Sequence, residues 1–271
     1  MSKIIDPTIV KCFCDKDDES GNPAAIYIDQ FIDDKQKQQI ANKLNFPVTV
    51  FVVKAKHDIP SIEFFYPNRK MPLCLHGTLA AAHVLFSGSA LCSMSIRAPS
   101  GKHLRLNKNA PNHFEVEVTP EPVEQPFLSL LTGSRLLNID TSEISKDLPF
   151  TVASVGSPKL LIPISSQDRL ADLNPDYSEI EKWSLANRVN GVYTYCHDAG
   201  ADIFYARGFN PMTGHKEDAA TGVAAAALSF QLARSIAIKQ GQLLGMPCKI
   251  NLRFVSKNSI WVGGRTFTAN Q

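Results

Sequence analysis

Two stretches of this sequence, Cys74-Leu-His-Gly-Thr-Leu-Ala-Ala-Ala82 and Asp218-Ala-Ala-Thr-Gly-Val-Ala-Ala-Ala226, share a pattern that decides how the chain folds. Each begins with a reactive side chain and continues into an alanine-rich run of good helix formers. A helix that is apolar all round is enclosed by other structure, so each stretch predicts a central helix covered by strands. The two stretches lie in opposite halves of the chain, which indicates an internal duplication.

The residues that precede the two stretches repeat as well. A proline stands seven residues before Cys74 and seven residues before Asp218, so the two blocks share one register. Further upstream, Gly21-Asn-Pro-Ala-Ala-Ile26 and Gly156-Ser-Pro-Lys-Leu-Leu161 each begin a predicted strand. The shared order predicts two related halves, each a strand-rich unit around one apolar helix.

The segments between these landmarks predict an α+β protein. A Pro- and Glu-rich segment over 119–126 predicts a linker, because prolines cannot pair inside a sheet. It divides the chain into domains 1–118 and 127–264, with 265–271 left open as a strand returning to the first domain. The predicted helices are Asp34–Leu44, His76–Phe86 and Ala220–Ile238. The predicted strands are Thr8–Cys14, Pro23–Asp29, Val48–Lys54, Ser61–Tyr66, Ser93–Ala98, Lys102–Leu106, His113–Val118, Lys159–Pro163, Gly191–Cys196, Asp202–Arg207, Cys248–Val255 and Ser259–Gly263.

Composition excludes several classes of function. The chain has 271 residues, 44% of them apolar, with 28 Lys and Arg against 26 Asp and Glu. This balance provides no basic surface for nucleic acid, and no apolar run is long enough for a membrane helix. The first residues lack the layout of a signal peptide, so we expect a cytoplasmic protein with reduced cysteines. The dispersed histidines and a single C-x-C pair predict no metal site.

The starts of the two predicted helices carry the chemistry. A helix N-terminus presents unpaired N–H groups and a partial positive charge, which favour an anion. Two such ends facing one cleft would hold a carboxylate, with Cys74 and His76 on one side and Asp218 on the other. Access from two sides is what an enzyme needs to move a proton on and off one carbon. We also expect the helix end to lower the pKa of His76 and favour its neutral ring.

Four motifs, taken together, resemble the PhzF-like family of phenazine-biosynthesis isomerases, which are relatives of diaminopimelate epimerase. They are Gly21-Asn-Pro-Ala-Ala25, Pro67 through His83, Phe209 through Gly222, and Gln240 through Gly264. The resemblance spans nearly the whole chain in the right order. It implies two pseudo-symmetric domains, each a β-barrel-like sheet around a central helix, with the active site between them. It also implies proton transfer without a cofactor, and a homodimer.

The sequence departs from the family pattern at positions that matter for catalysis. Val48 stands where the family's usual catalytic glutamate is expected. Leu75 replaces a glycine of the family's C-G-H-A-T motif, and Val223 replaces a serine near the start of the second helix. Each change makes the predicted cleft more apolar, and valine cannot carry a proton.

Two hypotheses follow for function. The first is a cofactor-independent isomerase that moves a proton on a small carboxylate-bearing metabolite. Its catalytic residues would be Asp218, His76 and Cys74, and its substrate contacts Asn22, Gly77, Thr78, Thr221 and Gly222. The second is a non-catalytic relative that binds a small carboxylate or a protein partner, because Val48 replaces the glutamate. Under this second reading, Asp218 caps a helix and Cys74 is a small buried thiol.

Overall fold

The computed structural model describes residues 5–16, 20–54 and 58–269. Within these residues the α-helices are α1 (Asp34–Leu44), α2 (Leu75–Phe86), α3 (Leu130–Leu137), α4 (Gln167–Ala171), α5 (Tyr177–Asn187) and α6 (Gly222–Leu232). The strands are β1 (Thr8–Cys14), β2 (Asn22–Ile28), β3 (Val48–Val53), β4 (Ser61–Phe65), β5 (Lys70–Met71), β6 (Ser93–Arg97), β7 (His103–Ala110), β8 (His113–Val118), β9 (Thr151–Ala153), β10 (Lys159–Pro163), β11 (Val192–Asp198), β12 (Ile203–Phe209), β13 (Glu217–Asp218), β14 (Ile236–Gln240), β15 (Cys248–Ser256) and β16 (Ser259–Thr268).

The first half forms a closed ring of strands. Its order is β1-β2-β3-β4-β6-β7-β8-β16, and β16 closes the ring by pairing with β1. The closing register runs from Val10 opposite Thr268 to Cys14 opposite Arg265. Helix α2 lies inside this ring, where it packs against β1, β2, β3, β4, β8 and β16. The last strand of the chain therefore completes the barrel that the first strand begins.

The second half repeats this arrangement around α6. Its strands follow the order β16-β15-β14-β12-β11-β10-β9. Helix α6 packs against β15 and β16 at one end of that row and against β9 and β10 at the other, so the sheet curls around it. The predicted fold class is confirmed: two barrel-like halves each enclose one apolar helix.

The two central helices have the burial that their composition predicts. In α2 nine of the twelve residues are buried, and in α6 seven of the eleven are buried. The surface helix α1 also has the predicted bounds, and Asp33 caps its N-terminus. The Asp33 carboxylate accepts from the backbone N–H of Gln36, and the Gln36 amide oxygen accepts from the backbone N–H of Asp33. This reciprocal pair satisfies two N–H groups that the helix would otherwise leave open.

The predicted helix over Ala220–Ile238 is wrong at its C-terminal end. Helix α6 stops at Leu232, and Ala233 adopts the left-handed conformation with a φ of 51°. Residues Ile236–Gln240 form β14 instead, parallel to β12 and antiparallel to β15. Helix ends of this kind usually carry glycine or asparagine, so an alanine there gives no stop signal in the sequence. Pairing with two strands distant in sequence decides the structure.

We expect the Ala233→Gly variant to be more stable than the native chain. Ala233 is exposed, so glycine removes backbone strain without removing packing. The free energy of unfolding should rise by about 0.5–1 kcal/mol. Thermal unfolding checks this, with Ala186→Gly as the matched control in the exposed last turn of α5. That control should lose up to about 1 kcal/mol, and a loss of stability in Ala233→Gly would contradict the expectation.

The two halves differ in one respect that the sequence did not reveal. Helices α3, α4 and α5 surround a second hydrophobic cluster in the second half, built on Leu136, Leu160, Ile162, Ile180 and Val192. No strand or helix was predicted between 127 and 158 or between 164 and 190, because short amphipathic segments there lack a clear period. In the described part of the chain, no helix is both long and apolar enough to span a membrane.

Candidate active site

The starts of the two central helices meet at a cleft between the halves. Helix α2 begins after Cys74 and helix α6 after Thr221, and neither N-terminus is capped by its own side chain. A Cβ added to Gly222 would lie 3.0 Å from the Cβ of Leu75, so the helix ends are in contact. Residues of both halves line the cleft: Pro47, Tyr66, Met71, Leu73, Cys74, Leu75, His76, Ser157, Lys159, Asn190, Val192, Gly208, Phe209, Asn210, Thr213, His215, Asp218, Ala220, Thr221, Gly222 and Val223.

Asp218 lies at the cleft because β13 pairs with β12. Its Cα partner is Gly208, and this pairing fixes the carboxylate just before α6. Oδ1 accepts a hydrogen bond of 2.8 Å from the Asn22 amide, and Oδ2 accepts one of 3.0 Å from the Thr221 hydroxyl. Asn22 belongs to the other half of the molecule. The predicted residues Asn22, Asp218 and Thr221 are thus brought together, and Asn22 connects the first half to Asp218.

Gln240 holds the start of α6 and was missed by the sequence analysis. This fully buried side chain donates to the Asp218 carbonyl at 2.7 Å and to the Thr221 hydroxyl at 3.0 Å. Its oxygen accepts from the Thr221 backbone N–H and from the Tyr193 hydroxyl. Gln240 ends β14, whose first residues fall in the predicted helix Ala220–Ile238. Its place at the start of the motif Gln240 through Gly264 is the signal that could have drawn attention to it.

Cys74 and His76 form a buried pair at the start of α2. The Cys74 sulfur lies 3.3 Å from Nδ1 of His76 and 3.5 Å from the Tyr66 hydroxyl, which donates to it. The other ring nitrogen of His76, Nε2, is buried without a hydrogen-bond partner among the described residues. His76 lines the cleft. A buried polar atom without a protein partner is costly, which favours a ligand atom as its partner.

The pKa of His76 moves in the direction opposite to the prediction. Burial lowers it, but the neighbouring Cys74 sulfur and the Asp218 carboxylate outweigh burial and raise the pKa above its ordinary value. The sequence analysis considered only the positive helix end. It placed Cys74 and Asp218 at the same cleft but did not include their effect on the pKa of the ring.

The predicted backbone cradle is partly occupied by the protein itself. The Thr78 N–H and hydroxyl both donate to the Cys74 carbonyl, and Thr78 is fully buried. The Thr221 N–H donates to Gln240. Gly222 lines the cleft, whereas a Cβ at Gly77 would press against Val50 and Phe64 in the barrel interior. A cradle for a carboxylate would therefore use the first turn of each helix around Gly222 and His76.

Val48 is a fully buried core residue, and the titratable groups of the cleft lie elsewhere. It begins β3, pairs with Ala24 and is 0% exposed, while the neighbouring Pro47 lines the cleft. The sequence analysis missed Lys159 and His215, which also line the cleft. Burial lowers the pKa of Lys159 to about 8, Asp218 opposes that effect and Arg69 adds to it. Lys159 follows the repeated Gly-x-Pro, a position that could have drawn attention to it.

No cluster of three or more His, Cys, Asp or Glu side chains suited to a metal ion occurs within residues 5–16, 20–54 and 58–269. The cysteines Cys12, Cys14, Cys74, Cys92, Cys196 and Cys248 are all free.

Two barrel-like halves, each around a helix that begins at a shared cleft, define the epimerase-like class of folds. The chain belongs to the phenazine biosynthesis-like protein family, whose profile matches residues 10–269. It is 28% identical to an uncharacterized isomerase of Deinococcus radiodurans, over 90% of this chain and 86% of that one. It is 31% identical to an uncharacterized isomerase of Pseudomonas aeruginosa, over 76% and 73% of the two chains.

Solved structures support the same fold. A PhzF-family phenazine biosynthesis protein of Bacillus anthracis superposes with a TM-score of 0.85 at 19% identity, covering 99% of this chain and 98% of that one. A probable proline racemase from Agrobacterium radiobacter superposes with a TM-score of 0.65 at 12% identity, covering 98% and 91%. At these identities the superpositions establish the fold alone.

Proposed function

We propose that this chain is a cofactor-independent isomerase that moves a proton on a small carboxylate-bearing metabolite in the cleft between its halves. The single observation that carries the proposal is the position of His76 and Asp218. They come from different halves and line one cleft beside two helix N-termini whose N-cap residues, Cys74 and Thr221, make no side-chain cap of their own. The curated relatives are called isomerases, which agrees with this reaction class.

The first step of the proposed reaction is binding of the carboxylate. The open N–H groups and partial positive charge at the starts of α2 and α6 favour an anion between them. Stabilising negative charge there also lowers the cost of removing a proton from the adjacent carbon, because the electron pair left behind is drawn toward the carboxylate. Leu75, Met71 and Val223 line the same cleft and would limit the water that reaches the bound metabolite.

The second step is proton transfer between the two sides. Asp218, held by Asn22 and Thr221, takes the proton from carbon, and the electron pair shifts into the adjoining π system. His76, whose raised pKa favours the protonated ring near neutral pH, returns a proton through Nε2. The net change relocates one hydrogen, so no oxidant or reductant is needed. In the reverse direction His76 is the base and Asp218 the acid. Cys74 orients His76 through Nδ1.

Hydrogen exchange tests this proposal. The native chain is incubated in heavy water with a pool of small carboxylic and amino acids, and mass spectrometry follows single deuterium gains. We expect one or a few related compounds to gain deuterium, and the His76→Asn variant to exchange at least about 100-fold more slowly. His83→Asn is the matched control, because His83 lies on the same helix but bonds Thr266 and Thr268 away from the cleft. Equal rates in native and His76→Asn proteins would remove His76 from the mechanism.

A specific observation favours a second candidate function. The carboxylate expected in place of Val48 has no substitute at that position, since Val48 is sealed in the core. The chain would then bind a small carboxylate at the same helix ends without moving a proton. Saturable binding of pool members, with no deuterium gain in any of them, would establish this alternative and overturn the isomerase. The homodimer stays a prediction, which light scattering of the purified chain would test.

A further inference from the structure

Two cationic side chains meet at one residue, Asn190, beside the proposed catalytic groups. Lys159 is only 6% exposed, and its ammonium donates to the Asn190 backbone carbonyl. The Arg69 guanidinium donates to the Asn190 side-chain oxygen at 2.8 Å. Lys159 and Asn190 both line the cleft. The cations come from different halves of the molecule, so the cluster exists only in the assembled fold.

Within the described part of the chain, neither cation of this cluster forms an ion pair, although the Asp218 carboxylate acts on Lys159 from a greater distance. Among the described residues, no Asp or Glu oxygen lies within 4.0 Å of either the Lys159 ammonium or the Arg69 guanidinium, although such pairs are common elsewhere in the chain. Nε of Arg69 is buried and has no hydrogen-bond partner in the part of the chain that the structure describes. An ammonium has three donors, and the Asn190 carbonyl takes one. Buried charges are normally paired, so this one is suited to an anion from outside the chain.

Hydrogen bonds hold the cluster in a fixed geometry. The Asn190 amide donates to the Ser157 hydroxyl at 2.7 Å, and the Asn210 amide donates to the Asn190 oxygen at 3.2 Å. Ser157 and Asn210 are themselves buried and line the cleft. Such a network sets the position of both cations before a ligand arrives, which is what a specific anion site requires.

We propose that Lys159, supported by Asn190 and Arg69, binds a second acidic group of the metabolite, and that this group is a carboxylate. The metabolite is then a dicarboxylate, with one acid at the starts of α2 and α6 and the other at Lys159. This inference rests on the proposed function, since it assigns the first acid to the helix ends. It explains why the cleft contains a buried lysine that neither Asp218 nor His76 contacts through a hydrogen bond.

Calorimetric binding of simple acids tests the inference at neutral pH. Succinate and glutarate have two carboxylates, butyrate has one, and inorganic phosphate reports an anion of another class. We expect the better dicarboxylate to bind the native chain at least about tenfold more tightly than butyrate. In Lys159→Met this preference should disappear, while butyrate binding is unchanged. Lys159→Arg should keep most of the preference, and the exposed Lys146→Met should keep all of it.

Three results would overturn the inference. They are equal binding of butyrate and dicarboxylates by the native chain, a dicarboxylate preference that survives Lys159→Met, and Lys159-dependent binding of phosphate without such binding of dicarboxylates. Deuterium exchange in heavy water distinguishes failure of this inference from failure of the proposed function. Lys159-dependent dicarboxylate binding without any exchange would remove the isomerase and leave the subsite. Deuterium exchange into monocarboxylates at a rate that Lys159→Met does not change would keep the isomerase and remove the dicarboxylate subsite.

Discussion

The Asp218→Asn variant is expected to lose proton exchange by at least about a thousandfold. An amide cannot accept a proton from carbon, yet it has the same shape as the carboxylate. Its oxygen can keep the bond from Asn22, and its nitrogen can donate to the Thr221 hydroxyl. The free energy of unfolding should therefore change by less than about 1 kcal/mol. The rate of deuterium gain in the metabolite identified from the pool measures the effect.

Asp176→Asn provides the matched control for this variant. Asp176 caps α5 through a bond to the backbone N–H of Glu179, and it lies away from the cleft. Asparagine caps helices as well as aspartate, so both stability and exchange should be retained. If Asp218→Asn kept more than about a tenth of the native rate while folding normally, Asp218 would be a structural cap of α6 rather than a proton carrier.

The Lys159→Met variant is expected to be more stable than the native chain by about 2 kcal/mol at pH 7. Burial lowers the pKa of Lys159 from its ordinary 10.5 to about 8, and a displacement of that size costs the folded state about 3 kcal/mol. The variant also loses the hydrogen bond to the Asn190 carbonyl, which reduces its gain in stability by about 1 kcal/mol. Chemical or thermal unfolding of both proteins measures the difference.

The pH dependence of this difference gives a sharper test. Below about pH 8, Lys159 is charged in the folded and unfolded states, so the full cost of burying the charge is present. As pH rises from about 8 to 10.5, the folded protein releases this proton while the unfolded chain keeps it, and the native chain regains stability. The advantage of Lys159→Met should therefore shrink over that range. Asp218 and Arg69 are the charged groups that act on Lys159, and neither is altered.

Lys146→Met is the control for the stability measurement, because Lys146 is exposed and its ammonium stays in water. Its free energy of unfolding should stay within about 0.5 kcal/mol of the native value at every pH. A Lys159→Met protein that is less stable than native at pH 7 would mean that Lys159 supports the fold. A Lys159→Met protein that is more stable than native would mean that Lys159 lowers the stability of the fold, which is expected of a residue that serves function.

Much of the fold could be predicted from local patterns. The alanine-rich runs after Cys74 and Asp218 predicted α2 and α6, and the segment Asp34–Leu44 predicted α1 with its bounds. The repeated order of motifs gave two halves around two helices. These features are local, because helix propensity, capping and apolar periodicity act over a few residues.

The candidate site could be predicted only in outline. His76, Cys74 and Asp218 were identified from their places before helices, and they do line one cleft. Gln240 begins a family motif, but its bonds to Asp218 and Thr221 could not be predicted, because it ends β14, a strand that forms through pairing with β12 and β15. The raised pKa of His76 was missed because it results from the neighbouring Cys74 sulfur and, to a smaller extent, from the Asp218 carboxylate of the other half, which together outweigh burial.

The sequence by itself determined the class of fold, the two central helices and the residues that begin them, because these depend on interactions between near neighbours. Tertiary structure alone decided what surrounds those residues. It buried Val48 in the barrel wall, attached Asn22 to Asp218, and brought Lys159 and Arg69 together at Asn190. Each of these contacts joins residues far apart in the chain. Their charges and hydrogen bonds gain their strength only when burial removes water, which no single stretch of sequence can specify.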